Sequence, residues 1–169
     1  MSDNEAIDNT QDFFDEASAK EADRSLQLFR AGSSHFGIFT DEIATTIAWR
    51  EPTPLPHAPK SVLGVVSVHG RMLTVLEVTI LAARESAASD TTRAAQQHII
   101  ALRGDEQLAL AVEALGETVK IADGDLESRT AGTLVLGILH LEGSEINVLN
   151  VKELFPAAIQ GRERRRRRF

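Results

Sequence analysis

The chain has 169 residues, 43% of them hydrophobic, so it can bury one full core or two small cores that share a wall, and full disorder is excluded. It has no cysteine, which excludes disulfides, thiolate metal sites and a cysteine nucleophile and favours a reducing, cytoplasmic environment. The net charge is −7 although six arginines lie in residues 162–168, so the chain before this tail is acidic and is expected to repel nucleic acid.

The N-terminal segment is strongly acidic. Residues 1–24 hold eight acids and two bases, and apolar residues recur at loosely helical spacing from Ile7 to Phe29, with Gly32 close behind. We therefore predict an acidic N-terminal arm over residues 1–33, either helical or flexible. The first residues lack the features of a signal peptide, and no apolar stretch approaches membrane-spanning length, so neither export nor membrane insertion is expected.

The following residues, 34–158, are predicted to form the folded domain. The domain begins with a change of pattern: Phe36, Ile38 and the segment 43–49 are rich in residues that favour strands. Four prolines within residues 52–59 then predict an ordered, extended connector, because proline breaks both helices and central strands.

The middle of the domain is predicted to consist mainly of hairpins. Residues 62–68 are apolar on both faces, as expected of a strand inside a barrel wall, and residues 72–81 are predicted to be its return strand. Residues 82–97 are predicted to form a loop or a short helix. Residues 98–103 and 108–115 are predicted to form a second hairpin.

A repeat runs through the domain. Leu63-Gly64, Gly70 and the apolar pattern that follows return 73 residues later as Leu136-Gly137, Gly143 and a matching pattern. Each copy predicts a strand, a tight glycine turn and a strand. Two similar β units in one small chain predict a pseudo-symmetric pair of barrels, with a seam between them where a partner could bind.

The end of the chain has two parts. Residues 152–156 predict a helical turn that closes the domain. Residues 159–169 form an arginine-rich tail, which is interpreted as a solvated end, a clamp on the acidic arm, or a contact for anionic lipid or nucleic acid.

Several segments occur in an order typical of one known family. They are Leu55 to Pro59, Gly64 to Gly70, Thr74 to Val78, Val112-Glu113 and Val148 to Leu154. These segments resemble, in turn, the Leu-Pro-x-x-Pro, Gly-Val-Ile-x-Leu-Arg-Gly, Pro-Val-x-Asp-Leu, Val-Asp and Leu-Leu-Asp-x-x-x-Leu motifs of the CheW family of chemotaxis coupling proteins. The resemblance covers about residues 34–156.

This resemblance implies a mainly β fold of two five-stranded SH3-like barrels. It also implies a cytoplasmic adaptor without catalytic activity, cofactor or metal, and without a small-molecule substrate. Two partners are implied: the regulatory domain of a CheA-type histidine kinase and the helical signalling tip of a chemoreceptor. The groove between the barrels would take the receptor helix, and an exposed barrel end would pack on a related barrel of the kinase.

The resemblance places the partner contacts at Ile43, Thr45, Gly64, His69 and Arg71. Two of these residues depart from the family pattern: His69 replaces an arginine before the turn glycine, and Thr45 replaces a glutamate. A histidine is mostly neutral near pH 7, so a charged contact there is expected to be weaker. Arg71 is a candidate to supply the missing positive charge.

Alternatives remain open. One is an accessory family member that binds a single partner in a non-flagellar pathway of motility or development, because the usual charges are missing. Another is a nucleic-acid-associated SH3-like barrel that acts through its arginine tail. The histidines are scattered and no phosphate-binding loop or nucleophile–base pattern is present, so no catalytic, cofactor or metal site is predicted.

Overall fold

The computed structural model describes residues 23–85, 95–129 and 133–159, which form eleven strands and two helices. The strands are β1 (Arg24–Ala31), β2 (Ser34–Phe39), β3 (Ile43–Ala48), β4 (Val62–Val68), β5 (Arg71–Glu77), β6 (His98–Leu102), β7 (Leu108–Val112), β8 (Ala114–Ile121), β9 (Leu126–Ser128), β10 (Val135–Leu141) and β11 (Ser144–Leu149). The helices are α1 (Val78–Glu85) and α2 (residues 154–159), and 3-10 turns lie at Thr40–Glu42, Asp123–Asp125 and Val151–Glu153.

The strands form two sheets with the same internal plan. The first sheet has the order β8-β1-β2-β11-β10-β9 and the second has the order β3-β6-β7-β5-β4. Each contains one parallel pair, β2 with β11 and β5 with β7, between antiparallel neighbours. The predicted pair of pseudo-symmetric β units is confirmed. The first sheet has a sixth short strand, β9, and in the second sheet an isolated bridge between Thr53 and Val65 takes the corresponding place.

The sequence repeat produces two nearly identical hairpins. The β4–β5 turn has φ angles of 48° at His69 and 78° at Gly70, and the β10–β11 turn has 49° at Glu142 and 79° at Gly143. Two successive residues with positive φ form the tight turn that matches the twist of paired strands. Each hairpin also has a register shift at its repeat glycine, at Gly64 in the first and Gly137 in the second.

Strand β7 shows how the two barrels share a wall. All five of its residues are buried, whereas a strand with one face in solvent would alternate buried and exposed residues. Leu108, Leu110 and Val112 face a central core between the sheets, and Ala109 and Ala111 face a second core enclosed by the second sheet. A third core, which includes Leu26 of β1 and Val148 of β11, lies within the first sheet. Large side chains therefore fill the interface, and small ones fit inside the narrow barrel.

The chain crosses between the sheets twice. It enters the second sheet through the turn Thr40–Glu42 and returns to the first at Glu113, between β7 and β8. The Glu113 side chain is 6% exposed, and its Oε1 accepts a hydrogen bond from the Gly32 amide at 2.9 Å. Its Oε2 lies 3.7 Å from Nε of Arg30. The Glu113 carboxylate therefore binds the β1–β2 turn to the crossing point, because Gly32 and Arg30 are distant from it in the sequence.

The prediction of a helical or flexible arm is wrong for residues 24–31, which form β1 in the first sheet. Leu26 and Phe29 are both buried, and their three-residue spacing imitates a helix. Successive side chains of a strand point to opposite faces, so Leu26 enters the core within the first sheet and Phe29 enters the central core between the sheets. The folded domain therefore begins before residue 34, and residues 1–22 of the predicted arm lie outside the described part.

The predicted return strand over residues 72–81 is also wrong at its end, since β5 stops at Glu77 and α1 begins at Val78. Val78 and Leu81 are one helical turn apart and both enter the central core, so burial overrides the strand preference of this β-branched sequence. Residues 86–94 and 160–169 lie outside the described part. The hairpin of β6 and β7 and the helical segment near residues 152–156 are confirmed, whereas β8 was not predicted over its full length.

Candidate partner-binding surface

One end of the second sheet gathers turns and strand ends from five strands. Val68 and Arg71 flank the β4–β5 turn, and Ile43 at the start of β3 pairs with Leu102 at the end of β6. The β6–β7 turn lies between them because β5 and β7 run parallel from this end. Three residues predicted as partner contacts, Ile43, His69 and Arg71, therefore share one end of the second barrel.

Two arginines tie this end together. Arg71 donates from Nη2 to the Gly104 carbonyl at 3.3 Å and so joins the β4–β5 turn to the β6–β7 turn. Arg103 donates from Nε to the Ile43 carbonyl at 3.1 Å, and its amide donates to the Glu42 carbonyl at 2.8 Å. These contacts leave two permanent positive charges on an exposed surface, since both arginines are exposed.

A groove of about 330 Å³ begins at this end and lies at the seam between the barrels. One wall is the β6–β7 turn, residues 103–107, from the second barrel, and the other is Val151 and Lys152, which follow the last strand of the first barrel. Leu102 and Leu108 supply further apolar lining. The groove has room for a few side chains of a partner, with an apolar interior and charged sides.

Glu42 lies in the turn that joins the two sheets, behind Arg103. Its side chain is half-buried, and its Oε2 is buried and accepts no hydrogen bond from the described residues. Burial, and secondly the neighbouring Asp41 carboxylate, raise the pKa of Glu42 above its ordinary value of 4.5. Arg24 and Lys152 act in the opposite direction but do not offset this shift.

Comparison with known proteins identifies the family. A family model for the CheW-like domain matches residues 25–158. The chain belongs to the CheW-like family. The chemotaxis protein CheW of Rhizobium meliloti (strain 1021) is 27% identical over 140 residues, which cover 79% of this chain and 88% of that protein. A probable chemotaxis protein CheW of Rhizobium etli is 25% identical over 144 residues, covering 82% and 91%.

A solved structure supports the fold of this CheW-like chain. The crystal structure of the scaffolding protein TtCheW from Thermoanaerobacter tengcongensis matches it with a TM-score of 0.63 and 16% identity. The match covers 76% of this chain and 89% of that chain. At this level of identity the similarity shows a shared fold of two β units.

The other two predicted contacts of the CheW-like chain lie elsewhere. Thr45 is half-buried within β3 and pairs with Ala101, two residues inside the barrel end. Gly64 is buried at the far end of β4, where a Cβ would lie 2.3 Å from the Thr53 carbonyl oxygen. Its φ of 148° and this close approach account for the glycine through backbone packing.

Three residues of this surface were not among the predicted contacts: Arg103, Lys152 and Glu42. Arg103 was part of a predicted hairpin and Lys152 part of a predicted helical turn, so both had an ordinary structural explanation. A charged Arg-Gly-Asp-Glu segment within a tight turn was the available signal, but only the tertiary structure brings it to the seam. Among residues 23–85, 95–129 and 133–159, no cluster of three metal-ligating side chains occurs, and no helix is long and apolar enough to cross a membrane.

Proposed function

We propose that this CheW-like chain is a non-catalytic, cytoplasmic adaptor that couples chemoreceptor-type sensors to a CheA-type histidine kinase. The observation that carries the proposal is the match of the CheW-like family model to residues 25–158, which contain both barrels. A scaffold needs separate surfaces for its partners, and the domain offers a barrel end and a groove that meet at the β6–β7 turn.

The barrel end is the proposed contact for the kinase regulatory domain. Ile43, His69 and Arg71 lie there, and Thr45 stands behind Ile43 on the same strand. His69 is exposed at the tip of the turn, and its φ of 48° is fixed by the hairpin. Arg71 provides the charge that the family arginine would supply, because it is exposed beside that turn.

The groove is the proposed contact for the receptor helix. An amphipathic helix binds by inserting apolar side chains at three- and four-residue spacing into an apolar channel. Leu102, Leu108 and Val151 provide the apolar lining, and Arg103 and Lys152 stand at the sides, where they would meet acidic groups of the helix. The volume suits a few inserted side chains, so a long helix would lie across the seam with most of its surface outside.

The test is calorimetric titration of the full chain with two proteins encoded in the same organism: the kinase regulatory domain and a receptor signalling-tip fragment. Arg71→Ala is expected to weaken kinase binding about tenfold, which corresponds to loss of one charged contact. The matched control is Ser144→Ala, because residue 144 occupies the same place in the β10–β11 hairpin and is exposed. Equal effects of the two substitutions would contradict the assignment of the barrel end, and absence of both interactions would contradict the adaptor function.

A second candidate is an accessory adaptor that binds one partner. The observation that favours it is the pair His69 and Thr45 at positions where the family carries charged residues. This alternative predicts that one titration gives no heat of binding and that His69→Arg restores it, whereas Glu142→Arg, the same change in the other hairpin, does not. Binding of both partners by the wild-type chain would exclude it.

A further inference from the structure

The two halves of the domain exchange strands in the same way. Strand β3 follows β2 of the first sheet but pairs with β6 of the second, and β8 follows β7 of the second sheet but pairs with β1 of the first. A glutamate precedes each exchanged strand, Glu42 before β3 and Glu113 before β8. The Glu42 carbonyl accepts a hydrogen bond from the Arg103 amide at 2.8 Å. The Glu113 amide donates to the Arg30 carbonyl at 3.0 Å, so the two glutamates occupy equivalent places in the two halves.

The side chains of these two glutamates have different surroundings. Glu113 accepts a hydrogen bond at Oε1 from the Gly32 amide, which belongs to the β1–β2 turn. Glu42 has a buried Oε2 that accepts no hydrogen bond from the described residues. The turn of the second half that corresponds to the β1–β2 turn is the β6–β7 turn, residues 103–107. A buried carboxylate oxygen without a donor is unfavourable, because it has lost its hydration without a replacement.

The groove has a closed counterpart in the other half of the domain. The 73-residue repeat places Thr79 and Lys152 at equivalent positions. Thr79 lies so close to the β1–β2 turn that a Cβ at Gly32 would be 3.1 Å from its Cγ2. Lys152 instead faces the β6–β7 turn across the groove of about 330 Å³, and a Cβ at Gly104 in that turn would meet no described atom within 4 Å. The seam is therefore closed where a glutamate binds the turn and open where it does not.

The β6–β7 turn is weakly held in its open position. It has five exposed residues, whereas only two residues separate the paired Ala31 and Ser34 of the β1–β2 turn. Gln107 has a φ of 52°, a left-handed conformation that is unfavourable for a residue with a side chain. The hydrogen bond from Arg71 to the Gly104 carbonyl is long, at 3.3 Å, and exposed. A second arrangement of this turn therefore requires little existing structure to be broken.

We propose that the β6–β7 turn is a lid of the groove, with a closed form in which one of its amides donates to the Glu42 carboxylate, as Gly32 donates to Glu113. In the closed form the turn lies against Lys152, as Gly32 lies against Thr79, and fills the groove. The structure describes the open form, so the closed form is the minor one, populated at roughly 1–10%. A receptor helix would select the open form, a consequence that rests on the proposed function.

The lid is tested by nitrogen-15 relaxation dispersion on the full chain, which detects minor forms that exchange in microseconds to milliseconds. Amides of residues 104–107 are expected to show dispersion. The amides of Gly32 and Ser33 are the matched control and should show none, since their turn is already closed. The minor-state proton shift of the closing amide should approach that of the Gly32 amide, because both donate to a carboxylate. Flat profiles at residues 104–107, or equal dispersion in both turns, would overturn the proposal.

Variants of the acceptor separate closure from general motion of the turn. Glu42→Ala should reduce the dispersion at residues 104–107 to the level of the Gly32 control, whereas Glu42→Gln keeps an acceptor oxygen and should retain dispersion. The matched control is Asp41→Ala, because Asp41 is the neighbouring carboxylate and forms an exposed pair with Arg24. Dispersion that persists in Glu42→Ala, or that Asp41→Ala removes equally, would overturn the proposal.

The effect of closure on binding is measured with a trapped lid. The chain has no native cysteine, so Asp105→Cys with Lys152→Cys supplies the only two thiols, one on each wall of the groove. Oxidised glutathione should link them and lower the affinity for a receptor-tip fragment at least tenfold, and reduction should restore it. Absence of the disulfide, or equal affinity of both forms, would contradict the lid. If the fragment binds neither form while the dispersion results hold, the proposed receptor coupling fails and the lid stands.

Discussion

Replacing Gly64 by alanine is expected to destabilise the domain far more than replacing Gly137, which occupies the same place in the second hairpin. At Gly64 a Cβ would lie 2.3 Å from the Thr53 carbonyl oxygen, and the residue has a φ of 148°. At Gly137 the nearest atom, the Glu127 carbonyl oxygen, would be 3.0 Å away, and φ is not in the left-handed region. One sequence repeat therefore offers a substitution and its matched control within one chain.

The size of the effect follows from what must move. The Thr53 strand segment cannot stay in place beside an alanine at residue 64, so the two backbone hydrogen bonds between Thr53 and Val65, both 2.9 Å, are lost. Each contributes about 1 kcal/mol, and alanine at this φ costs about 1–3 kcal/mol, which gives a total loss of about 3–5 kcal/mol. For Gly137→Ala a shift of a few tenths of an ångström relieves the contact, so a loss of about 1 kcal/mol or less is expected.

The assay is equilibrium urea unfolding of the two variants and the wild-type chain. Fluorescence of Trp49, the single tryptophan, reports on the second barrel, since its ring packs against the core of that barrel, and circular dichroism reports on both. Losses of equal size for the two substitutions would refute the steric argument. If Gly64 acts only through packing, the folded fraction of Gly64→Ala should bind each proposed partner with the affinity of the wild-type chain, and a selective loss of binding would show a direct contact instead.

Three further predictions concern the core, the seam and the turns. Leu110 is 0% exposed in the central core, so Leu110→Ala should lower the free energy of unfolding by about 3–4 kcal/mol in urea titrations. A loss below about 1 kcal/mol would contradict the packing described for β7. Burial raises the pKa of Glu42, so its protonated form stabilises the fold at low pH and this contribution is lost as the pH rises through the raised pKa. Glu42→Gln should therefore be more stable than the wild-type chain at pH 7, and this gain in stability should disappear below pH 4.5. A gain in stability that does not depend on pH would contradict this explanation. His69→Asn and Glu142→Asn should each raise the melting temperature by a few degrees, about 0.5 kcal/mol, because asparagine suits the first residue of this turn; a decrease in calorimetric scans would show that the native side chains make compensating contacts.

Much of the fold follows from short-range patterns in the sequence. The turn glycines of the repeat were visible because each marks a local requirement: Gly70 and Gly143 provide the positive φ that a tight turn needs. These requirements depend on neighbouring residues, so the two hairpins and their 73-residue spacing could be predicted without the rest of the structure. The same holds for the β6–β7 hairpin.

Errors arose where distant contacts change the local outcome. The three-residue spacing of Leu26 and Phe29 arises because both faces of β1 are buried, one against the core within the first sheet and the other against the central core. Val78 and Leu81 belong to a helix because both side chains reach the central core from one helical face. Neither partner surface is present in the nearby sequence, so propensity alone gave the wrong element.

For the candidate surface too, some features follow from the sequence and others from the tertiary structure. The sequence by itself determined the CheW-like motifs, the hairpin that presents His69 and Arg71, and the opposite charges of the two chain ends, because these depend on residue type and spacing. Only the tertiary structure decided that Arg103 meets Ile43, that Lys152 faces the β6–β7 turn across the seam, and that Gly64 is enclosed by Thr53. The physical reason is that these groups come from segments far apart in the chain, and the packing of two barrels around one central core brings them together.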